Sequence, residues 1–238
     1  MAGLSRRRVR GWASRTRQWL LRRREARHPF DQENGTDTGG VIGAASLGSG
    51  GANDEHITAY AGVPPSRLVG ALERWKSLLV SESVENFRFY DLGCGKGRAL
   101  LLASRWPFLE AVGVELDPRL ARIAEQNVTR WLAQGKAVCP VDARQGDATA
   151  VAYTEGPRLL FLYNPFGPPV VRAVLNALQR AGGESYLIYQ NEHDDTPLRD
   201  DPRLEILFRG SIPMSEQDRA ADPVASEHDV TGIYRMRP

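Results

Sequence analysis

From residue 87 onward the chain repeats one pattern: a short, nearly continuous apolar run of strand length, then a segment with helical spacing. FRFYDLG leads into GRALLLASRW, EAVGVEL into PRLARIAEQNVTRWLAQG, and PRLLFLYNPFG into PPVVRAVLNALQRAGG; SYLIYQNEH follows as a further strand. AVCPVDARQGDAT is a weaker strand and a loop. Strands apolar on both sides need cover on both faces, and parallel neighbours need a crossover of about a dozen residues, usually a helix. The pattern therefore predicts an α/β fold, a doubly wound, mostly parallel sheet with helices on both faces. LEILFRGSI and DVTGIYRMR, around a polar, proline-containing stretch, predict a C-terminal antiparallel hairpin that closes the sheet.

Ahead of the repeats, VPPSRLVGALERWKSLL predicts a helix capped by Ser66, with an inward stripe of Leu68, Val69, Leu72, Trp75 and Leu79. Residues 30–54, rich in Gly, Ser, Asn and Asp, predict a mobile loop. The economical division is a leader (1–29), a loop segment (30–65) and one domain (66–238). The leader is distinct in charge. Residues 1–27 hold ten Arg and one Glu, a net +9, which leaves −7 on the rest of a chain whose total is +2. Val9, Trp12, Ala13, Thr16, Trp19 and Leu20 recur there at helical spacing. Such a segment suits an anionic membrane surface or an acidic partner, or is a solvated tail. A body at −7 disfavours nucleic acid. No run of 18 apolar residues and no secretion signal occur, and Cys94 and Cys139 form neither a metal cluster nor a disulfide framework. A reduced, cytoplasmic protein is expected, with a peripheral membrane contact through the leader as the variant.

In doubly wound sheets ligands bind beyond the carboxyl ends of the strands, so the last residues of each strand carry the chemistry. The first strand ends at Asp91 and opens into Gly93, Gly95 and Gly97. A triphosphate loop would need Ser or Thr after Lys96, where Gly97 stands. A dinucleotide loop would need a third glycine at 98, where Arg98 would crowd helix against strand. Lys96 then reads as a solvent-facing loop residue. An acid just before the loop repels pyrophosphate and suits an ammonium group. Glu115, 24 residues after Asp91, is placed to accept both ribose hydroxyls. Asp147, at the tip of the third strand, could accept from an adenine amino group. Asp117 before Pro118 reads as a helix cap.

DLGCGKGRA, VGVELD, GDA and NPF, in this order and spacing, resemble the class I S-adenosylmethionine-dependent methyltransferases over roughly residues 66–238. The resemblance implies a seven-stranded sheet whose last strand is antiparallel. It implies that Asp91, Gly93, Cys94, Gly95 and Gly97 hold the methionine end of S-adenosyl-L-methionine. Glu115 would bind the ribose, Leu116 would also contact the cofactor, and Asp147 with Ala148 would flank the adenine. S-adenosyl-L-homocysteine would be the product of a direct in-line transfer, with no metal. The YNPFG segment is similar to the acceptor motif of amine- and amide-methylating members but lacks a second proline. It also has a distant, partial resemblance to the Asn-Phe segment of Dot1-type protein lysine methyltransferases. By that likeness Asn164, Pro165 and Phe166 line the acceptor pocket, Asn164 also borders the cofactor, and a nitrogen acceptor on a protein side chain or small molecule is favoured. Tyr60 would close over the site from the N-terminal segment, excluding water. Gln190 and Asn191 are further acceptor contacts to consider. His56 and His193 read as loop histidines, since transfer to an amine needs positioning more than a base. Two other classes stand beside this one: a binding module without transfer, and a dinucleotide oxidoreductase, which the missing glycine disfavours.

Overall fold

A computed structural model describes residues 28–193, 196–222 and 224–236; the Arg-rich stretch 1–27 lies outside them. The sheet has seven strands: β1 (Arg88–Leu92), β2 (Glu110–Glu115), β3 (Val141–Gln145), β4 (Arg158–Tyr163), β5 (Ser185–Gln190), β6 (Leu204–Ser211) and β7 (Val230–Met236). Their order is β3-β2-β1-β4-β5-β7-β6. The first five run parallel, and β7 is antiparallel to both its neighbours. The expected hairpin is present, with one refinement: the chain first runs to the sheet edge as β6, then returns inside it as β7. The polar stretch between them carries a short helix, Glu216–Ala221, capped by Ser215. Six residues are too few to show a helical period.

The other described α-helices are α1 (Pro29–Asn34), α2 (Pro65–Ser77), α3 (Arg98–Ala103), α4 (Pro118–Ala133) and α5 (Pro168–Ala181), which makes Glu216–Ala221 α6. Alternation along the strands splits the core into two layers. Phe89, Ala111, Leu159 and Ile188 pack on Leu72 and Trp75 of α2, Leu100 of α3 and Trp131 of α4. Tyr90, Val112, Leu160 and Leu187 face Val171, Val174 and Leu178 of α5. Helices thus cover both faces. Asp117 caps α4 as expected, accepting from the backbone N–H of Arg119 at 2.8 Å and of Leu120 at 3.3 Å. Ser66 does not cap α2. Pro64 occupies the N-cap, and Ser66, the second residue of the helix, gives its backbone N–H to Asp218 at 2.6 Å.

The segment expected to be a mobile loop is tied down. His28 Nδ1 accepts from Phe30 N–H at the start of α1. Asp31 Oδ1 takes three donors, Thr36 Oγ1 and both Thr38 N and Oγ1. Ile42 and Tyr60 bridge as antiparallel partners. We call residues 28–64 the strap. Arg98, expected to crowd the helix against the strand, points into the strap instead. Its Nε donates to Thr38 Oγ1 at 2.8 Å, and its Nη1 to Val63 O and Asp222 Oδ1, both at 3.1 Å.

Candidate active site

The strand order reverses between β2-β1 and β4-β5, so a crevice opens beyond the carboxyl ends of β1 and β4. The glycine loop lies there. Gly93, Gly95 and Gly97 have φ of 74°, 56° and 88°, values that L side chains adopt at a cost. Space reinforces the demand at two of them. A Cβ on Gly93 would come within 2.4 Å of Pro165, and one on Gly95 within 2.2 Å of the Tyr60 ring. The loop is a seat for the strap and for the loop after β4, besides being open to a ligand.

Three acids meet the crevice, each on a different strand tip. Asp91 is only 3% exposed, and its Oδ2 has no hydrogen-bond partner. Burial, reinforced by the charge of Glu115, raises its pKa to about 8. Glu115 accepts from Gly95 N at 2.7 Å and from Asp117 N at 2.9 Å, and burial pushes its pKa upward in spite of them. Asp147 accepts from Thr149 N and Oγ1 on one oxygen and from Asn53 Nδ2 at 2.6 Å on the other. Burial works against its ionisation, but these bonds prevail and lower its pKa.

The crevice is a cleft of about 860 Å³, part of it open to solvent. It brings together Asp91, Gly93, Cys94, Glu115, Leu116, Asp147, Ala148, Pro165, Phe166 and Tyr60. Gly95 and Gly97 are not part of this wall. Asn164 lines a neighbouring pocket, with Tyr189 and His193, that shares Thr58 and Phe166 with the cleft. Its φ of 41° is rare for a non-glycine residue. The Asn164 side-chain oxygen accepts from Tyr189 Oη at 3.1 Å and its carbonyl from Thr58 Oγ1 at 2.6 Å. Gln190 turns away from the site, fully buried, and donates to Arg67 O. Asn191 borders neither cavity.

Lys96 is not solvent-facing. It is buried, with Nζ on Asp37 Oδ1 at 2.8 Å and Gly39 O at 2.6 Å. The strap folds over the loop, so a side chain that would face water beside a bare glycine loop becomes an anchor for that cover.

The strap reaches both lips of the cleft. Ile57 bridges Phe166, Thr58 N donates to Pro165 O, and Gly167 N donates to His56 O. On the opposite lip Asn53 holds Asp147, and Gly48 N reaches Asp117 at 3.0 Å. Tyr60 lies across the loop with its hydroxyl on Thr38 O at 2.7 Å, and burial pushes that hydroxyl's pKa far up. It is a wall and not a base. Of these strap contacts only Tyr60 was foreseen; Asn53 and Thr58 carry no sequence signal, since single polar residues in a Gly/Ser-rich stretch look like any loop. Arg98 and Tyr163 also line the cleft.

Among the described residues the one group of potential metal ligands is His28, Asp218 and Asp222. Its ligand atoms are already engaged: His28 Nε2 lies 3.0 Å from Asp222, Arg98 donates to the same carboxylate, and Ser66 donates to Asp218. It forms no part of the cleft wall. No described helix is long and apolar enough to cross a membrane.

No family model and no curated protein matches the chain. Solved structures do resemble it. An RNA methyltransferase from Salinibacter ruber in complex with S-adenosyl-L-homocysteine is 20% identical, over 74% of this chain and 94% of that one, at a TM-score of 0.49. The magnesium protoporphyrin IX methyltransferase of Synechocystis PCC 6803, with bound S-adenosylmethionine, is 12% identical over 73% and 80% at 0.49. The M1A22 tRNA methyltransferase of B. subtilis is 14% identical over 74% and 67% at 0.48. Likeness at this level says nothing of what this chain acts on. The functional reading rests on the cleft itself.

Proposed function

We propose that this protein is a methyltransferase that uses S-adenosyl-L-methionine. The observation that carries the reading is Asp91: a buried carboxylate with one oxygen unpartnered, at the mouth of a glycine loop. A free acceptor in that position costs stability unless a ligand supplies a donor. The raised pKa shows how strongly the site disfavours a bare negative charge. An ammonium group answers both deficits.

The other residues fit the same ligand. Glu115 retains a lone pair on each oxygen, open to ribose hydroxyls. Leu116 and Ala148 give apolar contact at the purine end, beside Asp147. Asp147 reaches a ligand only through lone pairs left over from Thr149 and Asn53. Bound here, S-adenosylmethionine supplies an electrophilic methyl on a sulfonium. The chain's part is to align the acceptor and keep water out. The strap lies where a lid belongs, with Tyr60 on the loop and Ile57 on Phe166.

A nitrogen acceptor, on a protein side chain or a small molecule, is the finer reading, as is the Dot1-like character of the NPF segment. Asn164 supports a nitrogen acceptor, since its two oxygens, each holding one hydroxyl, can still accept from N–H groups. For residues 1–27 the proposal remains contact with an anionic membrane or partner in the cytoplasm.

Calorimetry with S-adenosyl-L-homocysteine tests the core of the reading. Binding should be lost or weakened at least tenfold in Asp91→Ala and Glu115→Ala. Unchanged affinity in both variants would falsify the site.

A further inference from the structure

The neighbouring pocket that holds Asn164 has a volume of about 510 Å³, part of it open to solvent, and adjoins the cleft at Thr58 and Phe166. Its chemistry differs from that of the cleft. Phe166, Pro168, Val171, Tyr189 and Pro197 give it apolar and aromatic walls. None of the described side chains that line it is an acid, a lysine or an arginine, whereas three acids and Arg98 line the cleft. Two observations point to an occupant. Thr196 lines the pocket at 6% exposure, and its hydroxyl oxygen has no hydrogen-bond partner. A buried hydroxyl left in that state costs stability until a ligand supplies a partner. Asn164, with Thr58 and Tyr189 bonded to its two oxygens, keeps a φ of 41°, and backbone strain of this kind gathers at ligand sites. A fixed charge entering here would lose its water and meet no counter-charge. A flat apolar molecule would meet ring surfaces along its body and Thr196 at a polar group.

We infer that this pocket takes the methyl acceptor and selects a small, uncharged aromatic molecule, with Thr196 hydrogen-bonding a polar group on it. The inference rests on the methyltransferase reading and narrows it, from a nitrogen acceptor of either kind to a neutral small molecule. In the transfer the acceptor's nitrogen lone pair forms the new bond to the methyl carbon. Sulfur keeps the electron pair of the broken C–S bond, and the N–H proton is lost to water.

The test uses the full chain saturated with S-adenosyl-L-homocysteine, so that the cleft is filled, and three probes that share one ring amine. 4-Aminobenzyl alcohol is neutral near pH 7, 4-aminobenzoate carries a negative charge and 4-aminobenzylamine a positive one. Ligand-observed NMR titration should show the alcohol binding at least about tenfold more tightly than either charged probe. Thr196→Val keeps the shape and removes the hydroxyl; it should weaken the alcohol about 3–10-fold and leave the affinity for S-adenosyl-L-homocysteine unchanged. The same variant should be no less stable to urea than the wild type, because the folded chain makes no hydrogen bond with that hydroxyl. No binding of the alcohol, charged probes bound as tightly, or an unchanged affinity in Thr196→Val overturns the inference while the cofactor reading stands. Failure of the wild type to bind S-adenosyl-L-homocysteine overturns the methyltransferase reading and the inference with it.

Discussion

Replacing Asp91 by Asn should stabilise the ligand-free protein while removing its ligand affinity. An unpaired buried acid is a standing cost. Its pKa moves from 3.8 in a free chain to about 8 in the fold, chiefly through burial and then through Glu115. Between these values the native state holds a proton that the unfolded state has released. Stability therefore falls as pH rises from about 4 to about 8 and levels off above. At about 1.4 kcal/mol per unit, the full window corresponds to roughly 5–6 kcal/mol. Relaxation and water penetration reduce such figures, so a gain of about 2–4 kcal/mol is expected for Asp91→Asn at pH 8.5. Urea denaturation of both proteins at pH 5, 7 and 8.5 measures it. The gap should be smallest at pH 5, about a third of its value at pH 8.5, and widen upward. Parallel pH curves, or a wild type more stable at pH 8.5, would refute the argument that Asp91 is an unmet charge awaiting a cation.

Three further outcomes follow from the same geometry. Because Asp91 is about nine-tenths protonated at pH 7 when its pKa is about 8, binding of S-adenosyl-L-homocysteine should release close to one proton there, and affinity should fall up to tenfold per unit below pH 8; calorimetry in buffers of different ionisation heat reads this directly. Gly95→Ala meets the Tyr60 ring at 2.2 Å with φ at 56°, so it should cost about 1–3 kcal/mol, and a second change, Tyr60→Ala, should recover part of the loss in a double-mutant cycle. Asp229→Ala leaves Arg67, fully buried and paired to it at 2.7 Å, without its counter-charge; a loss of about 3–5 kcal/mol is expected by thermal or chemical denaturation.

The sheet was legible because β1, β2, β4 and β5 are buried on both faces and so are apolar almost without interruption, a signal that needs no partner to be seen; β3, mostly exposed at the edge, carries only a weak one. The acids were legible for a different reason: Asp91, Glu115 and Asp147 sit at strand tips, where apolar runs stop, and topology alone gathers strand tips to one edge. Lys96 and Arg98 were misread because both were judged within their own loop. Each is buried by the strap, some 35 to 60 residues earlier in sequence. A Gly/Ser-rich segment carries no period by which such packing could be anticipated. Its order comes from side chains such as Asp31, which gathers three donors, and from backbone bridges to Phe166.

The strap also explains why a glycine loop here does not need the residues of the more familiar nucleotide loops. Where phosphate is the ligand, loop backbone N–H groups and a lysine must face it. In this chain Gly95 N–H is spent on Glu115, and Lys96 is spent on Asp37 and Gly39. Both commitments use up donors that an anion would require, while Asp91, which lines the cleft, keeps a buried oxygen without a partner. The polarity of the loop is thereby inverted relative to a phosphate site, and the lining guanidinium of Arg98 is itself paired with Asp222 and Asp31. A cleft wired this way favours a ligand that is cationic beside β1.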